Sequence, residues 1–484
     1  LRPEAGARAG HRSGRRDRRV RARRFAAGGE AGGSWRRTAL LAAGAVALTA
    51  VPLDGGAAWV RFALSSALVA AAVLSHRDGH VWAAAALFAT IALKDGLPVV
   101  PEAHAGWFHV ALAGSTAAGV IAVRRRRGEG MALELTPLEW ALGALPLAAL
   151  WSLPTSLAPG STVVALGRLL MLWVAALAVS RSLCTEADVR TALRAFVLAA
   201  AAIALLAAVQ WAVPSLGIGM AGGYRGEATI SGRPAGFYFD PNFLGAHLTL
   251  AAMAALWLAG RATRGWAWAA AALGLLAVVA LTFSRSAWVA TLVWVAVTMV
   301  LADRRTRVLT TAVVAGAVLL GTLALGPSTV LDRARSVFDS APNASNATRV
   351  QMGRASLAMI ADRPLAGTGL GAFDVAYPAY LLPGADPDIT HPHQVPVALV
   401  AETGLGGLAA LLTLLVAGAV AARRAVRRGL KYSGAAIAGV LALGVGSFFQ
   451  YFLYFEVGWL FVGLLAACAR IESKEQTVAV IAEA

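Results

Sequence analysis

The sequence predicts an all-α integral membrane protein, a polytopic bundle of about twelve to fourteen transmembrane helices with one long outer loop. Three observations lead there. The chain is 58% hydrophobic and 14% charged over 484 residues, and its mean hydropathy is +0.65, a balance that soluble domains do not show. Its apolar runs are about 17–25 residues long, rich in Ala, Leu and Val and without strict alternation, which fits spanning helices and not barrel strands. Basic segments recur between the runs at intervals that alternate sides.

In order, the expected spans are 38–53, 57–75, 81–98, 106–123, 137–153, 161–180, 192–214, 241–260, 265–282, 286–302, 308–326, 395–421, 434–452 and 455–470. The chain divides into a basic cytoplasmic tail (1–37), N-terminal transmembrane helices (38–214), central helices with an outer loop at 215–240 (215–326), a long outer loop (327–394), C-terminal helices (395–470) and a cytoplasmic tail (471–484). With the N-terminus inside, His76–His80, Arg124–Arg127, Arg181–Arg194, Arg261–Arg264, Asp303–Arg307 and Arg423–Lys431 all fall inside. The segments 215–240, the turn at Arg285 and 327–393 then fall outside.

The formal net charge is +17. Much of it lies in residues 1–37, which hold twelve arginines against Glu4, Asp17 and Glu30. That tail is Gly/Arg-rich and has no apolar period, so it is expected to be disordered and to meet anionic lipid. No aromatic residues interleave the arginines in the pattern of a nucleic-acid arm, and no nucleic-acid partner is expected. No cleavable signal peptide is evident, because the first apolar run follows the long basic tail. Cys184 and Cys468 are the two cysteines; they provide neither a disulfide framework nor zinc spacing.

A second set of arginines falls at or near the outer face, against the positive-inside bias: Arg168, Arg225, Arg233, Arg285, Arg333, Arg335, Arg349, Arg354 and Arg363. Guanidinium forks bind phosphate oxygens bidentately, so a cluster of them suits a diphosphate. Arg225, Arg333 and Arg335 read as interfacial anchors. Arg233, after a Gly-rich turn, and Arg285, between two apolar helices with no acidic neighbour in sequence, read as functional.

The loop 327–393 ends in His391-Pro392-His393-Gln394, followed by an apolar helix that contains Ala401-Glu402-Thr403-Gly404. An imidazole at the outer end of a helix can accept a proton or hold a hydroxyl at neutral pH. Glu402 lies about two and a half turns below His393, placed to pair with an arginine or to orient a histidine through a neighbour. The bland alternative for His391 and His393 is a helix cap and a loop hydrogen bond. His391, His393, Asp386 and Asp388 could hold a cation, but the basic cluster can neutralise phosphate alone, so no metal and no cofactor are expected. Gly367-Thr368-Gly369-Leu370-Gly371 lacks the Lys-Ser/Thr of a nucleotide loop and reads as tight backbone turns.

Three segments resemble the O-antigen ligase and polymerase superfamily. Gly232-Arg233-Pro234-Ala235-Gly236-Phe237-Tyr238-Phe239-Asp240-Pro241-Asn242-Phe243-Leu244-Gly245 is similar to its Gly-x-Phe-x-Asn-Pro-Asn-x-Leu stretch. Leu281-Thr282-Phe283-Ser284-Arg285-Ser286-Ala287-Trp288 is similar to its Thr-x-Ser-Arg-Gly-Ala-Trp turn. The stretch from Arg349 through Ala361–Phe373 to His393-Gln394 and Ala401-Glu402-Thr403-Gly404 resembles its long periplasmic loop. Asp240 stands where the family has Asn, Gly353 where it has Trp, and Gln394 where it has Asn. Gln can still donate and accept, so the site is expected to survive with an altered acceptor fit, and Gly353 bears on packing of the loop helix.

The resemblance implies a membrane glycosyltransferase class C-like fold in a bacterial inner (cytoplasmic) membrane, with the site facing the periplasm or cell exterior. The reaction would move a glycan from an undecaprenyl-diphosphate donor to an acceptor hydroxyl on a lipid or glycan, without metal and with inversion. His393, Arg285 and Glu402 would be catalytic. Arg233, Arg285, Arg349 and Arg168 would bind the diphosphate, and His391, Gln394 and Asn242 the acceptor. Membrane lipids would surround the bundle. A polymerase, whose acceptor is another lipid-linked repeat, is the alternative within the superfamily. A lipid-linked glycan transporter is disfavoured, because no internal repeat appears and the informative charges gather at the outer face.

Overall fold

The computed structural model describes residues 56–91 (77 excepted), 98–100, 105–127, 135–214, 229–335 (231 excepted) and 344–471 (388 and 390 excepted), with scattered residues in 40–48. The basic tail 1–37, Arg225, Asp388, most of the first expected span and all but one residue of the C-terminal tail lie outside the described residues.

The chain is an all-α polytopic membrane protein. Among the described residues, six helices are long and apolar enough to cross a membrane: Ala57–Ser75, Pro159–Ser182, Glu186–Ala212, Pro241–Arg261, Arg304–Leu325 and Val395–Arg427. Four shorter apolar helices, Gly79–Thr90, Trp266–Leu281, Arg285–Leu301 and Ser433–Gly446, pack with them. Helix starts follow local chemistry. Thr136 and Thr185 form capping boxes with Glu139 and Asp188; Asp240, Ser284 and Asp303 accept from backbone amides at the starts of their helices. Such caps satisfy amides that lipid would leave without partners.

Burial orders the bundle. Pro241–Arg261 is buried along nearly its whole length, whereas Arg304–Leu325 is mostly exposed. The first is therefore the central pillar and the second faces lipid. Small residues let neighbours approach: a Cβ on Gly463 would lie 2.4 Å from the Ala176 carbonyl oxygen, the close backbone contact that membrane helices favour.

The ends of the helices separate by charge. At one end Arg470 donates to the Ser180 and Leu183 carbonyls, Arg428 to the Arg470 carbonyl, Arg181 pairs with Glu139 at 2.6 Å and Arg261 with Asp303 at 3.2 Å. His80, Cys184 and Asp188 also meet there, with potential ligand atoms within 4.8 Å of one another. Within that group Asp188 serves as a helix cap: its Oδ2 accepts from the Cys184 and Thr185 amides at 3.0 and 2.9 Å.

Two expected spans differ. Among the described residues of the one at 81–98, the helix is Gly79–Thr90, and Pro98–Val100 pairs antiparallel with Ala105–Gly106. Gly96 and Pro98 in the sequence are poor helix continuations. The one at 434–452 stops at Gly446, because 447–455 turn inward to serve the opposite end of the bundle.

Candidate functional site

The site is organised by the turn between two short apolar helices. Thr282 ends Trp266–Leu281, and Ser284 caps Arg285–Leu301. Between them Phe283 adopts φ 48°, the one positive φ outside glycine among the described residues. A left-handed phenylalanine is costly and persists only where its surroundings hold it. Here the turn presents two successive carbonyls. Arg233 Nε donates to Thr282 O at 2.6 Å, and Arg333 donates to Phe283 O from Nε and Nη2 at 3.0 and 2.6 Å. Arg285 follows as the first residue of its helix.

Arg349, on the helix Ala344–Asp362, completes a group of four guanidiniums that act on one another electrostatically. Burial, then Arg285, Arg233 and Arg349, pushes Arg333 down to about 10. Arg349 is lowered by burial and Arg285, Asp240 opposing. Arg233 is lowered by burial, with Asp240 opposing and Arg285 adding to the fall. Like charges gathered in a half-buried place favour a polyanion. Asp240 is itself held: it caps Asn242 N at 2.7 Å and accepts from Gln450 Nε2 at 3.0 Å. Asn242 Oδ1 accepts from Arg233 Nη2 at 3.1 Å, so Asn242 steadies the arginine.

His393 stands just before Val395–Arg427. Its Nδ1 is buried and makes no hydrogen bond among the described residues. Burial, then Arg349 and His391, lowers it to about 4, so it is neutral at pH 7. The His391 ring lies 5.5 Å from the His393 ring and 5.5 Å from that of Tyr451. His391 is lowered by burial, Asp240 opposing. Gln394 reaches toward Gly353, where an added Cβ would sit 2.9 Å from its Oε1. The missing side chain at 353 thus leaves room for the longer amide at 394. Gly353→Ala is expected to displace the Gln394 amide with little loss of stability, because the clash is with a side-chain tip; a thermal melt in detergent checks this.

Glu402 is fully enclosed. Its Oε1 accepts from the Gly371 and Phe373 amides at 2.9 and 3.1 Å. Around it the loop and the helix interlock. Thr368 N and Gly369 N donate to the Ala401 and Glu402 carbonyls at 3.2 and 2.8 Å, and Leu405 N donates to Pro364 O at 3.0 Å. Gly404, at φ 58° and ψ −138°, breaks the helix there. The loop is further tied to 151–157: Trp151 Nε1 donates to Leu365 O at 2.9 Å and Leu157 N to Thr368 O at 2.9 Å.

Arg233, Arg285, Arg349, His391 and His393 thus come together as one neighbourhood. Glu402 holds the adjoining loop. Arg168 lies over the Tyr454 ring at 5.9 Å and faces a cavity that Glu402 and His391 also line. Arg335 is exposed and pairs with Asp332 at 3.8 Å, as a solvated surface residue would. Arg333 differs from the surface anchor expected of it, because the carbonyl it grips lies 50 positions away in sequence. Sequence reasoning also passed over Tyr451 and Glu456, which fall inside expected spans, and Tyr454, which falls in the short gap between them; Gln450, Tyr451, Tyr454 and Glu456 interspersed among apolar residues were the available signal.

Residues 270–412 match the family model described as O-antigen ligase. No curated protein matches the chain. The matched segment contains Arg285, Arg333, Arg349, His391, His393 and Glu402. This match supports the resemblance of the chain, through its residues 270–412, to the O-antigen ligase superfamily and, at family level, to its ligase- and polymerase-like membrane glycosyltransferases.

Proposed function

We propose that this protein transfers a glycan from an undecaprenyl-diphosphate carrier to an acceptor hydroxyl, at the periplasmic or exterior face of a bacterial inner membrane. The observation that carries the reading is the set of four guanidiniums around the 282–285 turn beside a neutral His393. Arg233, Arg285, Arg333 and Arg349 would hold the diphosphate and stabilise the charge that grows as the anomeric C–O bond breaks. Preorganised donors of this kind contribute about 3–4 kcal/mol each when tested by removal. The acceptor oxygen attacks the anomeric carbon from the opposite face, its proton passes to the His393 imidazole, and the polyprenyl diphosphate leaves, with inversion. The guanidiniums supply the charge that a metal ion would otherwise supply. A polymerase, adding the glycan to another lipid-linked unit, uses the same site.

Purified protein in detergent, given a polyprenyl-diphosphate oligosaccharide and an envelope acceptor fraction, tests this. Transfer is expected to survive EDTA and to fall about 10²–10³-fold in Arg285→Ala. A ladder of products would mark a polymerase and a single step a ligase. Wild-type-level transfer by the variant would remove the assigned site.

The pH dependence follows from His393. The base works only when neutral, and in the free protein it is lowered to about 4. Accordingly kcat/KM is expected to stay flat from pH 8 to about 5.5 with respect to this group and to fall only toward pH 4. A bound diphosphate offsets Arg349 and raises the imidazole, so the acid limb of kcat should lie higher than that of kcat/KM. Coincident limbs near pH 6.5 would count against His393 as the base.

A further inference from the structure

Next to the guanidinium group is a cavity of about 290 Å³ whose chemistry is different. Its walls include Phe239, Tyr454, Arg168, His391, Glu402 and Glu456. None of Arg233, Arg285, Arg333 and Arg349 is among the lining residues. With one guanidinium and two acidic side chains among its walls, and none of the four clustered arginines, the cavity offers little to a diphosphate. The volume is near the lower end of the ~300–1,000 Å³ range of small-molecule sites, enough for one or two rings and not for a chain.

The walls match an uncharged, hydroxyl-rich ring. Phe239 is 40% exposed although it is a large aromatic residue. It packs against Phe243 at 4.8 Å and keeps a free flank. The Tyr451 and Tyr454 rings lie 5.9 Å apart. Burial, then the Glu402 carboxylate, holds the Tyr454 phenol above its usual value, Arg168 opposing, so it stays a neutral donor and acceptor. An aromatic flank, phenols, carboxylates and one guanidinium together supply the ring face and the mixed donors and acceptors that sugar hydroxyls need.

We propose that this cavity binds the terminal sugar ring of the acceptor. The assignment rests on the transferase reading above. The anomeric carbon of the donor is bonded to the diphosphate and so stays beside the arginines. The cavity meets that group through His391, which lines it and faces His393, and through Asp240, which acts on His391, Arg233 and Arg349. A hydroxyl projecting from the cavity therefore arrives at the histidine pair as the second reactant. Tyr454 and Phe239 become specificity-determining residues.

Two measurements on the full chain in detergent test this, using Phe239→Ala and Tyr454→Phe. Pyrophosphate binding at the wild-type level shows that the variants are folded. In the first measurement, methyl glycosides of glucose, galactose and N-acetylglucosamine serve as probes for saturation-transfer NMR. At least one is expected to bind wild type, to lose its signal in both variants and to be indifferent to pyrophosphate. No signal from any probe, signal retained in both variants, or displacement by pyrophosphate overturns the cavity assignment. In the second, the acceptor KM is expected to rise about tenfold in each variant, the loss of one hydrogen bond or ring contact, with the donor KM unchanged. A rise in the donor KM instead, or in neither, overturns the acceptor role. Probe binding without any transfer by wild type overturns the transferase reading and the acceptor role with it. Transfer without probe binding overturns the cavity assignment alone.

Discussion

Alanine in place of His393 is expected to lower kcat for glycan transfer about 10²–10⁴-fold, the usual contribution of a positioned general base. The imidazole has a buried Nδ1 without a hydrogen bond among the described residues and sits in the field of Arg349. No partner at Nδ1 explains its place, so a purely structural role would leave little to lose. Burial and Arg349 keep it neutral, and the charge of a bound diphosphate would make it more basic at the moment it is needed. The donor KM should change little, since two of the guanidiniums that hold the diphosphate, Arg233 and Arg333, are anchored elsewhere, on the carbonyls of Thr282 and Phe283. Single-turnover transfer measures the first effect and donor titration the second. If kcat survives while the acceptor KM rises, His393 holds the acceptor and His391, which faces the cavity, becomes the candidate base.

Alanine at Gly367 is expected to destabilise the protein by roughly 2–5 kcal/mol, adding backbone strain to overpacking. The position has φ 69°, and an added Cβ would lie 2.3 Å from the Glu402 carbonyl carbon and 2.5 Å from the Thr403 nitrogen. These are backbone atoms, so nothing flexible can yield. The loop would have to lift from the helix and give up the hydrogen bonds from Thr368 and Gly369 to the Ala401 and Glu402 carbonyls. Glu402 would lose its amide donors at Gly371 and Phe373. Gly384→Ala is the control: its φ is 75°, but no atom lies within 4 Å of the added carbon. Unfolding midpoints in detergent should fall clearly for Gly367→Ala and slightly for Gly384→Ala. Equal small losses would show that the interlock contributes little.

Much of the bundle was legible because lipid permits so few solutions. Most of the expected spans from 57 onward coincide with observed helices to within a few residues, since a run of apolar residues in a membrane must satisfy its own backbone. The exceptions are instructive. Residues 434–452 are apolar enough to be read as one span, yet the helix stops at Gly446 and Gln450 is drawn to Asp240. Hydropathy has no term for a distant carboxylate.

By itself the sequence determined the helical membrane class, the alternation of basic ends, and the prominence of Arg233, Arg285 and the histidine loop. Each of these is a local or periodic property: length, charge bias, or a residue out of place among apolar neighbours. The tertiary structure alone decided that Arg333 joins the guanidinium group through a carbonyl 50 positions away. It also decided that Glu402 faces the amides of Gly371 and Phe373 and that Gln394 reaches toward the space at Gly353. Those roles depend on which distant backbone each side chain meets. Such meetings are set by helix packing around the buried 241–261 pillar, and spacing along the chain does not encode them.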